Sequence, residues 1–291
     1  MIYLLASIFF STITVCLFMV FEKKGVDTFQ AIVFNYLTCA ILGNALASQT
    51  ILSGEVWLTG WFPYALVLGF LFIIVFNFIA QTAQKLGVST SMVAAKLSVV
   101  IPVIATVILY NEPLNFMKIS GILISLIAVY LISKKENEET HSAIKLFYLP
   151  ILVFIGSGCI DTLLNYTEQN YIPPFDVDSI ITTIFCVAFL VGAIYLLLLL
   201  VIRKKTFAFK NLGWGILLGL PNYFSMFFLL KTLGQFQGSY IFPLNNIGIV
   251  AASTLAGVLV FKEKLSPQNK FGLILAILSI LIISISDAFF R

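Results

Sequence analysis

Ten apolar runs of about 20 residues, the length that carries a helix across roughly 30 Å of hydrocarbon, alternate along this chain with nine breaks rich in charge, glycine or proline. No other feature narrows the fold so far. In hydrocarbon every backbone N–H and C=O must be satisfied within the chain, and runs of this length do so as helices. The runs fall near 2–21, 29–48, 62–84, 91–110, 114–132, 146–166, 179–202, 211–231, 239–261 and 268–288. Breaks such as EKKGVD, KLGVST, NEPL, NYIPPFDVD and FKEKLSPQN separate them. The expected fold is an all-α integral membrane protein of ten transmembrane helices, with short loops that make successive helices antiparallel neighbours. The longest polar stretch is only Ser133 to Ser142, so no separate soluble domain is expected.

The two halves repeat. Glu112 and Glu263 stand 151 residues apart, and the same shift carries Gly87 onto Gly238 and Gly121 onto Gly272. LGF at Leu68 to Phe70 echoes LGL at Leu218 to Leu220 within one residue of that shift. Residues 1–135 and 144–291 are therefore read as two five-helix repeats. Five is odd, so the second copy enters the membrane from the opposite side, which makes the pair an inverted repeat about an axis in the membrane plane.

Composition enters through what it excludes. Charged residues make up 10% of the chain and hydrophobic ones 60%, against roughly a quarter charged in a soluble domain. The net charge of +4 is too small and scattered for a nucleic-acid partner. Cys16, Cys39, Cys159 and Cys186 all lie in apolar runs, where cysteine serves as a small core residue, and His141 sits in a polar loop, so neither metal nor other cofactor is expected. The first run lacks a basic leader and is too long for a signal peptide, hence the expectation of a retained first span. No GxxxxGK[ST], HExxH or GxSxG occurs, which argues against a nucleotide-driven pump and against an enzyme. With the amino terminus outside, thirteen loop lysines and arginines fall on the cytoplasmic side, while Lys118, Lys231 and Arg291 fall on the other. That asymmetry predicts both termini outside a cytoplasmic membrane.

A few polar residues interrupt the apolar runs. Lys96, inside span four, is disfavoured there by about 2.5 to 3.5 kcal/mol unless it has a partner or a hydrated cavity, so it leads the candidates for substrate contact, with snorkelling to the interface as the alternative. The 151-residue shift carries it to Ile247, beside Asn245 and Asn246, at the repeat interface where inverted-repeat carriers place their sites. Asn35, Asn77, Gln81 and Asn222 extend the substrate-binding set, each with helix-to-helix packing as its alternative role. Asp161 lies well inside span six and is the candidate for proton coupling. Pro102 and Pro243 interrupt spans four and nine as hinge candidates, and Glu112 and Glu263 sit at helix ends where a carboxylate caps free amides.

Ten spans, a five-plus-five repeat, and the segments VILYNEPLNFMKISGILISLIAVYLIS and VLVFKEKLSPQNKFGLILAILSILIIS make the chain resemble the drug/metabolite transporter superfamily in its ten-helix EamA-like branch. The resemblance implies two inverted bundles opening alternately to either side, and export of amino acids or other small metabolites. It also implies a cavity lined by helices four and nine, which favours Lys96, Asn245 and Asn246 by position. Many such members are drawn with both termini inside, contrary to the loop charges here. The expected function is secondary transport of a small polar metabolite or organic anion; the alternative is a membrane scaffold or lipid-handling protein. Expected partners are the solute and the lipid bilayer, without nucleic acid and with a homodimer left open.

Overall fold

The computed structural model describes residues 1–46, 55–110, 116–133, 146–171, 177–202, 206–233 and 238–289. Glu112 and His141 lie outside the described residues. Every regular element among the described residues is helical: α1 (Ile2–Lys24), α2 (Thr28–Leu46), a 3₁₀ turn (Glu55–Leu58), α3 (Phe62–Leu86), α4 (Val88–Leu97), α5 (Val100–Tyr110), α6 (Phe116–Ser133), α7 (Tyr148–Tyr171), α8 (Val177–Ile202), α9 (Phe209–Leu233), α10 (Gly238–Leu259) and α11 (Pro267–Phe289). By length and composition six of these can cross a membrane, namely α1, α2, α3, α7, α8 and α9. Shorter apolar stretches cover Val88–Pro102, Ile119–Ala128, Leu244–Leu259 and Pro267–Ile283. This is a multi-pass helical membrane protein.

Local chemistry explains the breaks. Lys23 and Lys24 close α1 at its negative end. Gly25 then takes the left-handed conformation at φ +58°, and Asp27 caps α2 by accepting the Gln30 N–H at 3.1 Å. Span four is not one helix. It stops at Leu97 and restarts at Val100, with the Ser98 hydroxyl donating to the Ala95 carbonyl at 2.6 Å and the Ile101 N–H to the Ser98 carbonyl at 2.8 Å. The interruption lies one turn before Pro102, where a proline ring meets the backbone of the preceding turn. Pro102 sits in the first turn of α5, where a missing N–H leaves no carbonyl unpaired. Pro243 is carried within α10.

The helices pack into two compact units, and both draw on both halves of the sequence. The first comprises 1–19, 78–159 and 225–291. Its core joins Val93 and Leu97 of α4, Ala128 of α6, Val250 of α10, and Ala276 and Ile280 of α11. Here α6 and α11 run antiparallel: the Asn269 carboxamide, early in α11, donates to the Leu131 carbonyl, late in α6, at 3.1 Å, while Gly121, early in α6, abuts Ile283, late in α11. Likewise α4 begins where α10 ends, with Ser89 beside Gly257.

The second unit comprises 20–77 and 160–224. In it α2 lies antiparallel to α8, with Phe29 edge-on to Tyr195 at 5.4 Å at one end and Gly43 against Thr182 at the other. The 151-residue shift maps α2 onto α8, α4 onto α10 and α6 onto α11, so each of these related pairs is an antiparallel, touching pair. Across α9, Gly215 and Gly219 face α2 so closely that a methyl at Gly219 would stand 2.9 Å from the Asn35 carbonyl oxygen. Small residues four apart are what let two membrane helices approach to that distance.

Candidate functional site

The first unit assembles its polar groups around α4. Three atoms at the start of this helix converge on the Glu263 carboxylate: the Val88 N–H donates at 2.6 Å, the Ser89 N–H at 3.4 Å and the Ser89 hydroxyl at 2.8 Å. A carboxylate there satisfies amides that have no partner within the helix and meets the positive end of its dipole. The chain is shaped to deliver it. After α10 the backbone turns through Lys262 at φ +57°, and the Glu263 N–H bonds back to the Gly257 carbonyl at 2.9 Å. Gly87, at φ +102°, leaves room as well as the turn, since a methyl on it would stand 2.9 Å from the Glu263 carboxyl carbon. The helix that Glu263 caps is α4, 175 positions earlier in the chain.

Lys96 occupies the last turn of the same helix and is half-buried. Its charge stands at the negative end of α4, where the helix breaks and carbonyls of the final turn lose their intrahelical partners. On α10, which packs against α4, Asn245 is buried at 3% exposure and accepts from the Ser7 hydroxyl at 3.4 Å. Ser7 also donates to the Ser225 carbonyl at 2.8 Å. On the same stripe of α1, Tyr3 and Phe10 stack on either side of a shared neighbour, Phe228, with centroids 6.0 and 5.7 Å away. Asn246 and Gln81 are half-buried. Ser7, Ser89 and the aromatic stack are not singled out by the sequence; serine and phenylalanine are ordinary in apolar spans, and only the packing gives them roles.

The second unit holds two further polar clusters. At one end of α2, Gln30 and Asn211 are each 1% exposed and fully tied. Gln30 donates to the Thr206 carbonyl at 3.1 Å and accepts from the Asn211 side chain at 2.9 Å, while Asn211 accepts from the Asp27 N–H at 3.3 Å. This is a staple between two chain turns. Deeper in, the structure brings two of the candidates together: the Asn222 side chain donates to the Asn35 oxygen at 3.1 Å and to the Cys39 sulfur at 3.6 Å. Pro221, inside α9, removes the hydrogen bond of the adjacent turn. Asn77 instead donates to the Ile73 carbonyl one turn earlier in its own helix at 2.8 Å. Asp161 is exposed on α7 and belongs to this unit, whereas Lys96 belongs to the first.

Two comparisons with known proteins bear on these helices. The EamA-like transporter family matches residues 1–134, the stretch from α1 to the end of α6. A protein of Haemophilus influenzae described as uncharacterized is 27% identical over 268 residues, covering 89% of this chain and 89% of its own length. The likeness to that protein therefore spans both halves, and its description adds no activity. From α1 to α6 the chain is similar to the EamA-like transporter family, consistent with the drug/metabolite transporter superfamily that its sequence resembles.

Proposed function

We propose that the protein is a secondary carrier that exports a small polar metabolite, an amino acid or another organic anion, by alternating access. Ten spans in two inverted five-helix repeats, 1–135 and 144–291, would carry it across the cytoplasmic membrane with both termini outside. The observation that carries this reading is the antiparallel pairing of the helices related by the 151-residue shift, α2 with α8, α4 with α10 and α6 with α11. Two copies of one motif inserted in opposite senses would pair in this way. The EamA-like match supports transport as the class of activity.

In this reading Lys96, at the negative end of a broken helix, attracts the anionic group of the solute. Asn245 and Asn246 on α10 orient its polar remainder, with Asn77, Gln81, Asn35 and Asn222 lining the path, and Asp161 exchanges a proton with each cycle. The break at Ser98–Val99, together with Pro102 and Pro243, gives spans four and nine places to bend. The test is a thermal-shift screen of purified protein against metabolites, because a ligand that binds only the folded form raises apparent stability by mass action. Organic anions are expected to raise the melting temperature of the wild type and not of Lys96→Ala. A shift retained in the variant would move the site away from Lys96.

The rival is a scaffold or lipid-handling protein, favoured by the closed Gln30–Asn211 staple. Cysteines placed singly at Ala95, Ser98 and Asn246, in a background without native cysteines, separate the two. Labelling by a membrane-impermeant thiol reagent is expected for a carrier; silence at all three from both faces favours the scaffold. Compartment-sensitive reporters on the termini test orientation, and a cytoplasmic carboxyl terminus would overturn it.

A further inference from the structure

Among the buried polar side chains of the second unit, Asn35 stands apart. It is wholly buried, its oxygen accepts from Asn222 at 3.1 Å and lies 3.9 Å from the Cys39 sulfur, and its Nδ2 meets no acceptor. With Asn222 donating to that oxygen, both N–H groups of Asn35 are the unsatisfied end, and an unsatisfied buried donor costs about 1 to 3 kcal/mol. Its neighbours show that the unit ordinarily meets such demands: Gln30 and Asn211 are bonded to each other and to backbone, and the Tyr36 hydroxyl donates to the Phe72 carbonyl at 3.0 Å. Asn44 Oδ1 and Trp61 Nε1 are also unpartnered, but neither side chain is bonded to a second carboxamide.

The surroundings of Asn35 favour opening. Pro221 interrupts the hydrogen bonding of α9 one residue before Asn222, and Gly215 and Gly219 hold α2 against α9 without interlocking side chains of their own. Pro221 leaves one turn of α9 short of a backbone bond, which gives that helix a place to bend beside Asn222. Two carboxamides and a thiol then stand at the opened crossing.

We propose that the α2–α9 crossing is a solute subsite in which the Asn35 carboxamide donates to a carbonyl or carboxylate oxygen of the transported metabolite, Asn222 holds the Asn35 oxygen in place, and Cys39 forms the wall. This rests on the carrier reading and names the chemistry recognised at one part of its path. The donor pair of Asn35 matches an acceptor oxygen and rejects an ammonium group.

Cys39 is a native reporter of the subsite. The protein is prepared with Cys16→Ser, Cys159→Ser and Cys186→Ser, and an anionic, membrane-impermeant methanethiosulfonate is added to the folded, reconstituted carrier with and without a panel of amino acids and carboxylates. Cys39 is expected to react, several-fold more slowly with the effective solute present. Asn35→Leu and Asn35→Ala are each expected to abolish that protection in protein that still folds. Failure of Cys39 to react before unfolding, or reaction that no carbonyl- or carboxylate-bearing solute slows, overturns the subsite. If the same panel still raises the melting temperature of the wild type, the carrier reading survives that failure; if no member of the panel does, both fall together.

Discussion

At the scale of single residues, Glu263 has the most clearly defined task. Its two oxygens take up two backbone amides and a hydroxyl at the start of α4, and two glycines, Gly87 and Gly257, leave the space it fills. Glu263→Ala is expected to cost about 1 to 2 kcal/mol, the range for losing a helix cap, read as a lowered melting temperature of the purified protein. Glu263→Gln keeps an acceptor oxygen but loses the charge and is expected to recover part of the loss. Gly87→Ala should be as harmful as Glu263→Ala, because a side chain at φ +102° is strained and also displaces the carboxylate. A glutamate ending an apolar run beside KEKL is legible in the sequence as a capping group. Which helix it caps is not, since the partner lies 175 positions earlier in the chain and is found only by packing.

At the scale of elements, close approach and interruption decide the arrangement. Gly219 and Gly213 lie on the same helix, yet a side chain at Gly219 would meet Thr38 and the Asn35 carbonyl, whereas one at Gly213 would meet nothing within 4 Å. Gly219→Leu is therefore expected to destabilise by about 1 to 3 kcal/mol, as overpacking does. Gly213→Leu should change the melting temperature little, and equal effects at the two positions would contradict this crossing. The spacing of apolar runs places these helices well, because a hydrocarbon thickness sets their length. Span four is interrupted at Ser98–Val99, one turn before Pro102, where a proline ring crowds the preceding turn and its missing N–H leaves the Ser98 carbonyl to the Ile101 N–H. The sequence identifies Asn35 and Asn222 as intramembrane polar residues without showing that they bond to each other: helical periodicity tells which residues share a face, not which faces meet.

On the scale of the whole molecule, the halves of the sequence and the compact units are different divisions of the same chain. The first unit takes α4 and α6 from one half and α10 and α11 from the other; the second takes α2 from one and α8 from the other. Fragments 1–135 and 144–291 expressed separately are thus expected to be cleared from the membrane, and co-expressed to accumulate together and co-purify. Stable accumulation of either fragment alone would contradict this interleaving. The arrangement also sets an order of events during synthesis. When the first half has left the ribosome, α2, α4 and α6 have yet to meet α8, α10 and α11, the repeat-related helices they pack against, which are still untranslated. Insertion of the early helices and their final packing are consequently separated in time, and the newly made protein must wait, with Gly43 of α2 and Gly121 of α6 still uncovered, until the last helix arrives.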